Sequence, residues 1–184
     1  MELPDEEAFA AFMRARGDHF MRLAVLLAGS PHQAEDLLQA SLVKLYQAWP
    51  RLDVATVAPD AYLRKILVNT RRSWWRSRWR QEAPVASVPD VADPAAGGGD
   101  PADRYALGAQ VRAALAALPR QQRAVLVLRY AEDLPEAAVA EILGCSAGTV
   151  KTHAHRGLRA LRAALGDLDS FAVNGTAGSE SEKK

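Results

Sequence analysis

Apolar residues recur every three or four positions along almost the whole chain, and the strict alternation typical of β-strands is absent. Glycines and prolines divide this pattern into helical segments. Gly17 is a candidate break inside the first segment, whereas Ser30 can cap the second, with Pro31 at its first position. The predicted helices are one opened by Pro4 and ended by Gly29, then residues 32–49, 60–82, 102–118, 120–130 and 136–143, and a last one that runs from Ser146 to Leu165. The predicted fold class is all-α.

The last two of these segments form a predicted helix-turn-helix. Gly144 can end the first helix because glycine adopts a left-handed backbone at little cost. Ser146 can cap the second helix, and small Ala140 and apolar Val150 would let the two helices pack closely. The apolar residues predicted to face inward on the first helix are Ala137, Val139, Ala140, Ile142 and Leu143.

The second helix of this pair carries a basic face and no acidic residue. Its polar positions include Thr149, Lys151, Thr152, His153, His155, Arg156, Arg159 and Arg162. A short helix, a glycine turn and a basic helix are typical of proteins that place a recognition helix in the major groove of DNA. The alternative is an ordinary helical hairpin with a solvated basic face.

The helix predicted over residues 60–82 changes character along its length. Its first half carries a core stripe made of Tyr62, Leu63, Ile66 and Leu67. Beyond Asn69, arginines and tryptophans alternate: Arg71, Arg72, Trp74, Trp75, Arg76, Arg78, Trp79 and Arg80. Arginine binds phosphate through its planar fork, and tryptophan offers a flat surface for an unstacked base, so this half is predicted to contact single-stranded or melting DNA. The alternative, favoured for one tryptophan by the spacing of Trp75 and Trp79, is that some of them belong to the core.

Residues 83–101 differ in composition from the rest of the chain. They contain four prolines and three consecutive glycines, and therefore predict a flexible linker rather than a helix. The predicted organisation is a front helical domain at residues 1–82, this linker, a smaller back domain at residues 102–166 and a disordered tail at residues 167–184.

Charge and cysteine content narrow the function classes. The net charge is only +1, so any surface for nucleic acid must come from local clustering. The single cysteine, Cys145, excludes an internal disulfide, and a small buried thiol is the favoured interpretation. The four histidines form no cluster with metal-ligand spacing, and no catalytic constellation is present, so no metal, cofactor or enzymatic activity is predicted. The acidic N-terminus and short apolar runs predict a soluble, intracellular protein.

Four stretches follow one another in an informative order. They are AEDLLQASLVKLYQAW (34–49), AYLRKILVNTRRSWWRSRWR (61–80), ALAALPRQQRAVLVLRYAEDL (114–134) and AEILGCSAGTVKTHAHRGLRALR (140–162). In this order they resemble bacterial RNA polymerase sigma factors of the small, two-domain extracytoplasmic-function type, in particular the actinobacterial group labelled the SigE family. The resemblance covers about residues 9–165, apart from the linker. It implies that the first stretch docks on the clamp helices of the polymerase beta-prime subunit, the second melts and reads the −10 promoter element, and the last two form region four, which reads the −35 element.

The resemblance assigns roles to individual positions. Polymerase docking falls on Asp36, Leu38 and Gln39. Contact with the −10 element falls on Asn69, Arg71, Arg72, Trp74, Trp75 and Arg76, and contact with the −35 element on Thr149, Lys151, Thr152, His153 and Arg156. The chain departs from the family pattern at Ser41, where an acidic residue is common, at Ser73, where many relatives outside this group carry aspartate, and at His153-Ala154, which replaces a commoner Arg-Leu pair. Only the departure at His153-Ala154 affects which −35 sequence the protein is expected to recognise; it does not affect the fold.

The implied function is promoter-specific initiation without catalysis by the chain itself. The implied partners are core RNA polymerase, through the beta-prime clamp helices and the beta flap, promoter DNA and an anti-sigma factor. The linker would thread the polymerase exit path. Two domains that each bind DNA weakly act as one strong binder when polymerase holds them at a fixed separation. The free protein is therefore expected to bind DNA poorly. The residues leave two rivals of other classes. One is a dimeric helix-turn-helix regulator with its own operator, against which the arginine–tryptophan helix and the AEDLLQ motif argue; the other is a helical enzyme, for which no catalytic site is found in the sequence.

Overall fold

The structure is a computed structural model that describes residues 6–52, 58–78 and 101–166, and the side chains of residues 6–52, 58–74 and 108–166. Every regular element within these residues is helical, which confirms the all-α prediction. The helices are α1 (Glu6–Ala28), α2 (Pro31–Ala48), α3 (Pro59–Arg78), α4 (Pro101–Ala117), α5 (Arg120–Leu126), α6 (Glu136–Leu143) and α7 (Ala147–Leu165), with a 3₁₀ turn at Trp49–Arg51 and a π turn at Val127–Ala131. Among the described residues, no helix has the length and apolar character needed to cross a membrane.

Some predictions concern residues outside the described ranges. These are the start of the first helix at Pro4, the end of the third helix at residues 79–82, the linker before Pro101 and the tail after Gly166. Helix α4 begins at Pro101, one residue before its predicted start. Proline suits the first position of a helix because its fixed backbone angle is helical and its missing N–H is not needed there.

Helix α1 passes through Gly17 without interruption, so the predicted break there is wrong. A glycine inside a helix costs about 1 kcal/mol relative to alanine. The apolar face on either side of it outweighs that cost, because Phe20, Leu23 and Leu27 are all buried. The helix ends instead at Gly29, whose φ of 94° lies in the left-handed region. Ser30 then caps α2 by accepting a hydrogen bond from the backbone N–H of Gln33 at 3.4 Å, as predicted.

Two predicted α-helices end in a turn of a different helical type. Helix α2 stops at Ala48, and a 3₁₀ turn then carries Trp49 inward, where it is 6% exposed. The ring of Trp49 packs edge-on against Phe9, with ring centroids 5.1 Å apart, so the turn brings Trp49 into an aromatic contact with α1. The segment predicted as one helix over residues 120–130 changes from α5 to the π turn at Val127. Such single-turn π segments occur often at functional sites.

One apolar core joins the front helices α1–α3 to the back helices α5–α7. Its fully buried members include Leu27 and Leu67 from the front and Leu128, Val139 and Val150 from the back. A smaller cluster beneath α4 contains Leu115, Leu118 and Leu126, with Leu158 and Leu161 packed against it. Although the composition of the chain predicts two domains, the described parts of both pack against each other through α1 and α3.

Candidate nucleic-acid interface

Residues at the turn itself end and begin the two helices of the helix-turn-helix. Gly144 ends α6 with φ 61°, and the hydroxyl of Ser146 caps α7 by accepting a hydrogen bond from the N–H of Thr149 at 3.1 Å. Val150 is fully buried and Ala140 is 8% exposed, which confirms the predicted close packing of the two helices. One inward prediction is wrong: Ala137 is exposed, because the buried face of α6 is narrower than its run of apolar residues.

Helix α7 presents its basic face to solvent. Exposed positions on it are Thr149, Lys151, Thr152, His155, Arg156, Arg159 and Arg162, whereas His153 is half-buried. The Nζ atom of Lys151 lies 3.7 Å from Oε2 of Glu136. On the inner side, Gly157 is buried, and a Cβ there would lie 3.0 Å from Cδ1 of Leu126. Glycine therefore lets α7 lie close against α5, and this contact helps to direct the basic face outward.

Helix α3 separates its core stripe from its candidate DNA face. Leu63 and Leu67 are fully buried, whereas Asn69 is exposed. Trp74 is 39% exposed, so this tryptophan is a surface residue rather than a core residue. The side chains of Trp75 and Arg76, which the resemblance also assigns to the −10 element, lie outside those that the structure describes.

Arg71 lies half-buried on α3 in a positive environment. Burial lowers the pKa of its guanidinium to about 9, and the neighbouring charges of Arg123 and Arg120 contribute to the same lowering. The group stays protonated at neutral pH because that value remains well above 7. A phosphate placed here would relieve the repulsion, since an opposite charge favours the charged form of a titratable group.

A small open pocket lies between α2 and α3. It has a volume of about 250 Å³ and is lined by Lys44, Tyr62, Lys65, Ile66, Asn69 and Thr70. The ammonium group of Lys44 donates a hydrogen bond to the hydroxyl of Thr70 at 2.8 Å. The pocket thus combines an aromatic ring and an aliphatic chain with ammonium, amide and hydroxyl groups. A base rotated out of its stack requires such a mixture of flat apolar and hydrogen-bonding surface.

The outer face of α2 carries the positions assigned to polymerase docking, with one difference. Asp36 and Gln39 are exposed, and Val43 beside them is 57% exposed. Leu38 is 6% exposed and belongs to the core, so it lies beneath this face and supports it. Ser41 is also fully buried, and its hydroxyl donates to the carbonyl of Leu37 at 2.7 Å. An acidic residue at Ser41 would place a charge in the core of this protein unless it had a partner there.

The polar contacts between the front and back helices are almost without a signal in the sequence. The backbone carbonyls of Leu27 and Ala28 at the end of α1 accept hydrogen bonds from the buried guanidinium of Arg123, at 3.3 and 3.1 Å. Arg64 of α3 contacts Glu132 at 2.7 Å. Only Arg123 could have been suspected from the sequence, because it precedes the apolar run AVLVL on the inner side of its helix. Within the described ranges, no group of three histidine, cysteine, aspartate or glutamate residues could hold a metal, and Cys145 is half-buried.

The geometry defines a class of protein: a helical protein with a helix-turn-helix and, in addition, a helix rich in arginine and tryptophan. The Sigma-70 region 2 family matches residues 7–81, and the Sigma-70, region 4 family matches residues 108–161. The RNA polymerase sigma-E factor of Streptomyces avermitilis is 40% identical over 167 residues, covering 90% of each chain. The ECF RNA polymerase sigma factor SigW of Bacillus subtilis is 30% identical over 173 residues, covering 89% of this chain and 92% of that protein. The chain belongs to the sigma-70 family, in its extracytoplasmic-function (ECF) group.

Solved structures share the fold. The sigma factor RpoE of Bartonella quintana, in complex with the anti-sigma factor NepR, has a TM-score of 0.70 at 23% identity, covering 86% of this chain and 97% of that chain. CnrH, in complex with the cytosolic domain of CnrY, has a TM-score of 0.57 at 19% identity, covering 94% of this chain and 92% of that chain. At these identities the likeness concerns the fold alone.

Proposed function

We propose that this protein binds core RNA polymerase and directs promoter-specific transcription initiation. The observation that carries the proposal is that one chain of the sigma-70 family exposes two different candidate surfaces for DNA, Trp74 with Asn69 on α3 and the basic face of α7. The first suits unpaired bases and the second suits intact duplex. Membership of the sigma-70 family makes the protein a transcription initiation factor rather than an enzyme.

Helix α3 would capture the −10 element as it melts. Trp74 offers its exposed ring for stacking, which is worth roughly 1–3 kcal/mol per base. The pocket beside Asn69 would take a base that has left the stack, with the lysines at its edge close to the phosphate. The remaining positions assigned to this surface are Arg71, Arg72, Trp75 and Arg76.

Helix α7 would enter the major groove of the −35 element. Lys151 and Arg156 are exposed on its outer face and would bind phosphates or base edges. Thr149 and Thr152 lie near its N-terminus, the part of a recognition helix that faces the bases. His153 completes the set, but its half-buried ring limits it to contacts at the edge of this face.

Helix α2 would supply the polymerase contact. Asp36 and Gln39 would face the beta-prime clamp helices, supported from beneath by Leu38, and the back helices would meet the beta flap. The corresponding organisation is a region 2 domain at residues 1–82, a linker at 83–101, a region 4 domain at 102–166 and a tail at 167–184. The place of action would be the cytoplasm, where core polymerase and promoter DNA meet. An anti-sigma factor would be a further partner, as it is for the solved RpoE.

Transcription with purified components tests the proposal. Core polymerase with and without this protein would transcribe sheared genomic DNA from the source organism, and transcript starts would be mapped. We expect new starts, preceded by common −10 and −35 sequences, that appear only with both components. The isolated protein should footprint these promoters far more weakly than the holoenzyme. Equal footprints by both would instead support the dimeric regulator with its own operator.

A further inference from the structure

Arg123 is buried beside the C-terminal ends of two helices. Its residue is 6% exposed, and Nη1 donates hydrogen bonds to the last carbonyls of α1, those of Leu27 at 3.3 Å and Ala28 at 3.1 Å. Nη2 donates to the carbonyls of Ala116 and Leu118 at the end of α4. A helix C-terminus carries roughly half a negative elementary charge, so two of them offset most of the charge of one guanidinium. The hydrogen bonds of Arg123 thus have a structural role.

Gly29 leaves the space that the guanidinium of Arg123 occupies. A Cβ at Gly29 would lie 2.6 Å from Nη1 of Arg123, which is too close for any side chain there. Helix α2 begins two residues later, at Pro31, and its first turn contains no acidic residue. Because the N-terminus of a helix carries partial positive charge, the start of α2 adds to the positive charge on this side of Arg123.

Two further arginines extend this positive region to the surface. Arg71 on α3 is half-buried, and Arg120 at the start of α5 is exposed. Burial is the main cause that lowers the pKa of Arg71 to about 9, and the charges of Arg123 and Arg120 add to it. Burial and the charge of Arg120 likewise lower the pKa of Arg123. The three guanidiniums therefore lie close enough to repel one another, and together they form the arginine cluster.

The inner members of the arginine cluster have no carboxylate partner within the ranges that the structure describes. None of the ion pairs there includes Arg71 or Arg123. Arg64, on the same helix as Arg71, shows the usual arrangement: its side chain is 14% exposed and its Nε donates to Glu132 at 2.7 Å. A buried charge is unfavourable unless an opposite charge or hydrogen bonds compensate it. The helix ends compensate Arg123, so Arg71 is the cation that an added anion would stabilise most.

The charge and depth of the arginine cluster indicate the chemistry of that anion. Guanidiniums bind phosphate oxygens through pairs of parallel N–H donors, and Arg71 and Arg120 together offer two positive charges. A terminal phosphate group carries about −1.5 to −2 charges at pH 7 and presents three acceptor oxygens. A phosphate in a nucleic-acid backbone carries a single charge and is flanked by two sugars. The terminal group matches the two guanidiniums in charge, and its small size suits a half-buried position.

We propose that Arg71 and Arg120, with Arg123 behind them, bind the terminal phosphate or diphosphate group of a small molecule. Nε of Arg123 is buried and has no hydrogen-bond partner among the described residues, so one donor of the cluster is unused. The site is distinct from the basic face of α7 and from the pocket beside Asn69. Its occupation requires neither polymerase nor DNA, so a failure of promoter-directed transcription would leave this proposal unaffected.

Isothermal titration calorimetry of the full chain with inorganic pyrophosphate tests the site. The titrations would be made at constant ionic strength and without divalent cations. We expect saturable binding to one site per chain. Calorimetry is preferred to thermal melting, because phosphate-like anions also stabilise folded proteins without binding to a site. The absence of saturable binding at millimolar pyrophosphate would overturn the proposal.

Arg71→Gln and Arg120→Gln are the decisive variants, because each removes one charge and keeps a polar side chain. We expect each to raise the Kd for pyrophosphate at least about tenfold, since a hydrogen bond between opposite charges is lost. Arg159→Gln is the matched control: it removes the same charge from the exposed face of α7 and should raise the Kd less than about twofold, because salt screens exposed charges that do not contact the ligand. A loss as large in Arg159→Gln as in Arg71→Gln would show non-specific attraction and overturn the assignment.

Two further measurements exclude misfolding and the other source of phosphate. If circular dichroism shows that Arg71→Gln is unfolded, Arg120→Gln decides alone, because Arg120 is exposed and its replacement should leave the fold intact; an unchanged Kd would then reject the site. A single-stranded oligonucleotide without terminal phosphates would be titrated in parallel. Binding of the oligonucleotide through Arg71 and Arg120, without binding of pyrophosphate, would make backbone phosphate the ligand and overturn the proposal. Pyrophosphate binding that both variants weaken would uphold it.

Discussion

Helices α3 and α7 have similar chemistry, but the cations of α3 make closer contacts with the rest of the fold. Both are rich in arginine and lack acidic residues over their candidate DNA faces. Arg72 on α3 donates to the carbonyl of Leu143, and Arg64 is 14% exposed against Glu132. On α7, Lys151 is 70% exposed and Arg156 is also exposed. The comparison teaches that a basic helix is available to DNA only where the rest of the fold leaves its cations uncovered.

The two helices also differ in what their aromatic and apolar residues do. On α3 the buried leucines and exposed Trp74 lie on one continuous helix, so core and function share a backbone. On α7 the equivalent inner contacts are made by Val150 and by Gly157, which allows close approach to α5. Substitutions can therefore separate stability from DNA binding in each helix, and they can test whether the contrast between α3 and α7 is real.

The largest expected effect separates the two faces of α3. Leu67→Ala should lower the free energy of unfolding by about 2–5 kcal/mol, because Leu67 is fully buried. Trp74→Ala should lower it by less than about 1 kcal/mol, since Trp74 is 39% exposed. Chemical denaturation of both variants measures the difference. A loss of several kcal/mol in Trp74→Ala would assign this ring to packing and reject its role in base stacking.

The next largest effect is a difference between α3 and α7 in the form of DNA that each binds. Holoenzyme containing Trp74→Ala should bind a template pre-melted around the −10 element more weakly by roughly 1–3 kcal/mol, because a stacking surface is lost. Arg156→Ala should leave binding to the same template unchanged when the template has no −35 element. Equal losses in the two variants, measured by fluorescence anisotropy, would show that the helices do not read different forms of DNA.

A smaller effect concerns the salt dependence of α7. Lys151→Ala should reduce the slope of log affinity against log salt by about one unit for duplex promoter, because one phosphate contact and its released counterion are lost. Arg14→Ala is the control, because Arg14 is an exposed arginine on α1 and belongs to neither candidate DNA-binding helix. Glu136→Gln, which removes the carboxylate 3.7 Å from Lys151, should strengthen duplex binding slightly. An identical slope in Lys151→Ala and Arg14→Ala would exclude Lys151 from the phosphate contacts.

The smallest change in fold stability is expected for substitutions on the outer face of α2. Replacing Asp36 and Gln39 together with alanine should change the free energy of unfolding by less than about 0.5 kcal/mol, because both side chains are exposed. Association with core polymerase should nevertheless fall in a pull-down, while α3 and α7 keep their affinities for DNA. Full association of this double variant would move the docking surface elsewhere on the front helices.

Local features of the fold follow from the sequence because their causes lie within a few residues. Gly144 and Ser146 end one helix and begin the next through backbone geometry and a single hydrogen bond, and both were predictable. The helix-turn-helix, the core stripe of α3 and the membership of the sigma-70 family follow from such signals. The break at Gly17 was not predictable, because the packing of Phe20 and its neighbours overrides a local preference of about 1 kcal/mol.

The relation between the two halves was decided only by tertiary structure. Periodicity indicates that a residue faces inward, but not which helix it will meet, and Arg64 and Glu132 are 68 positions apart. The composition of residues 83–101 predicts a linker between two domains, but it does not indicate that the described helices of both share one apolar core. The physical reason is that caps and turns satisfy backbone groups within a few residues. Which side chains and charges become buried depends instead on which surfaces, distant in sequence, pack together and exclude water.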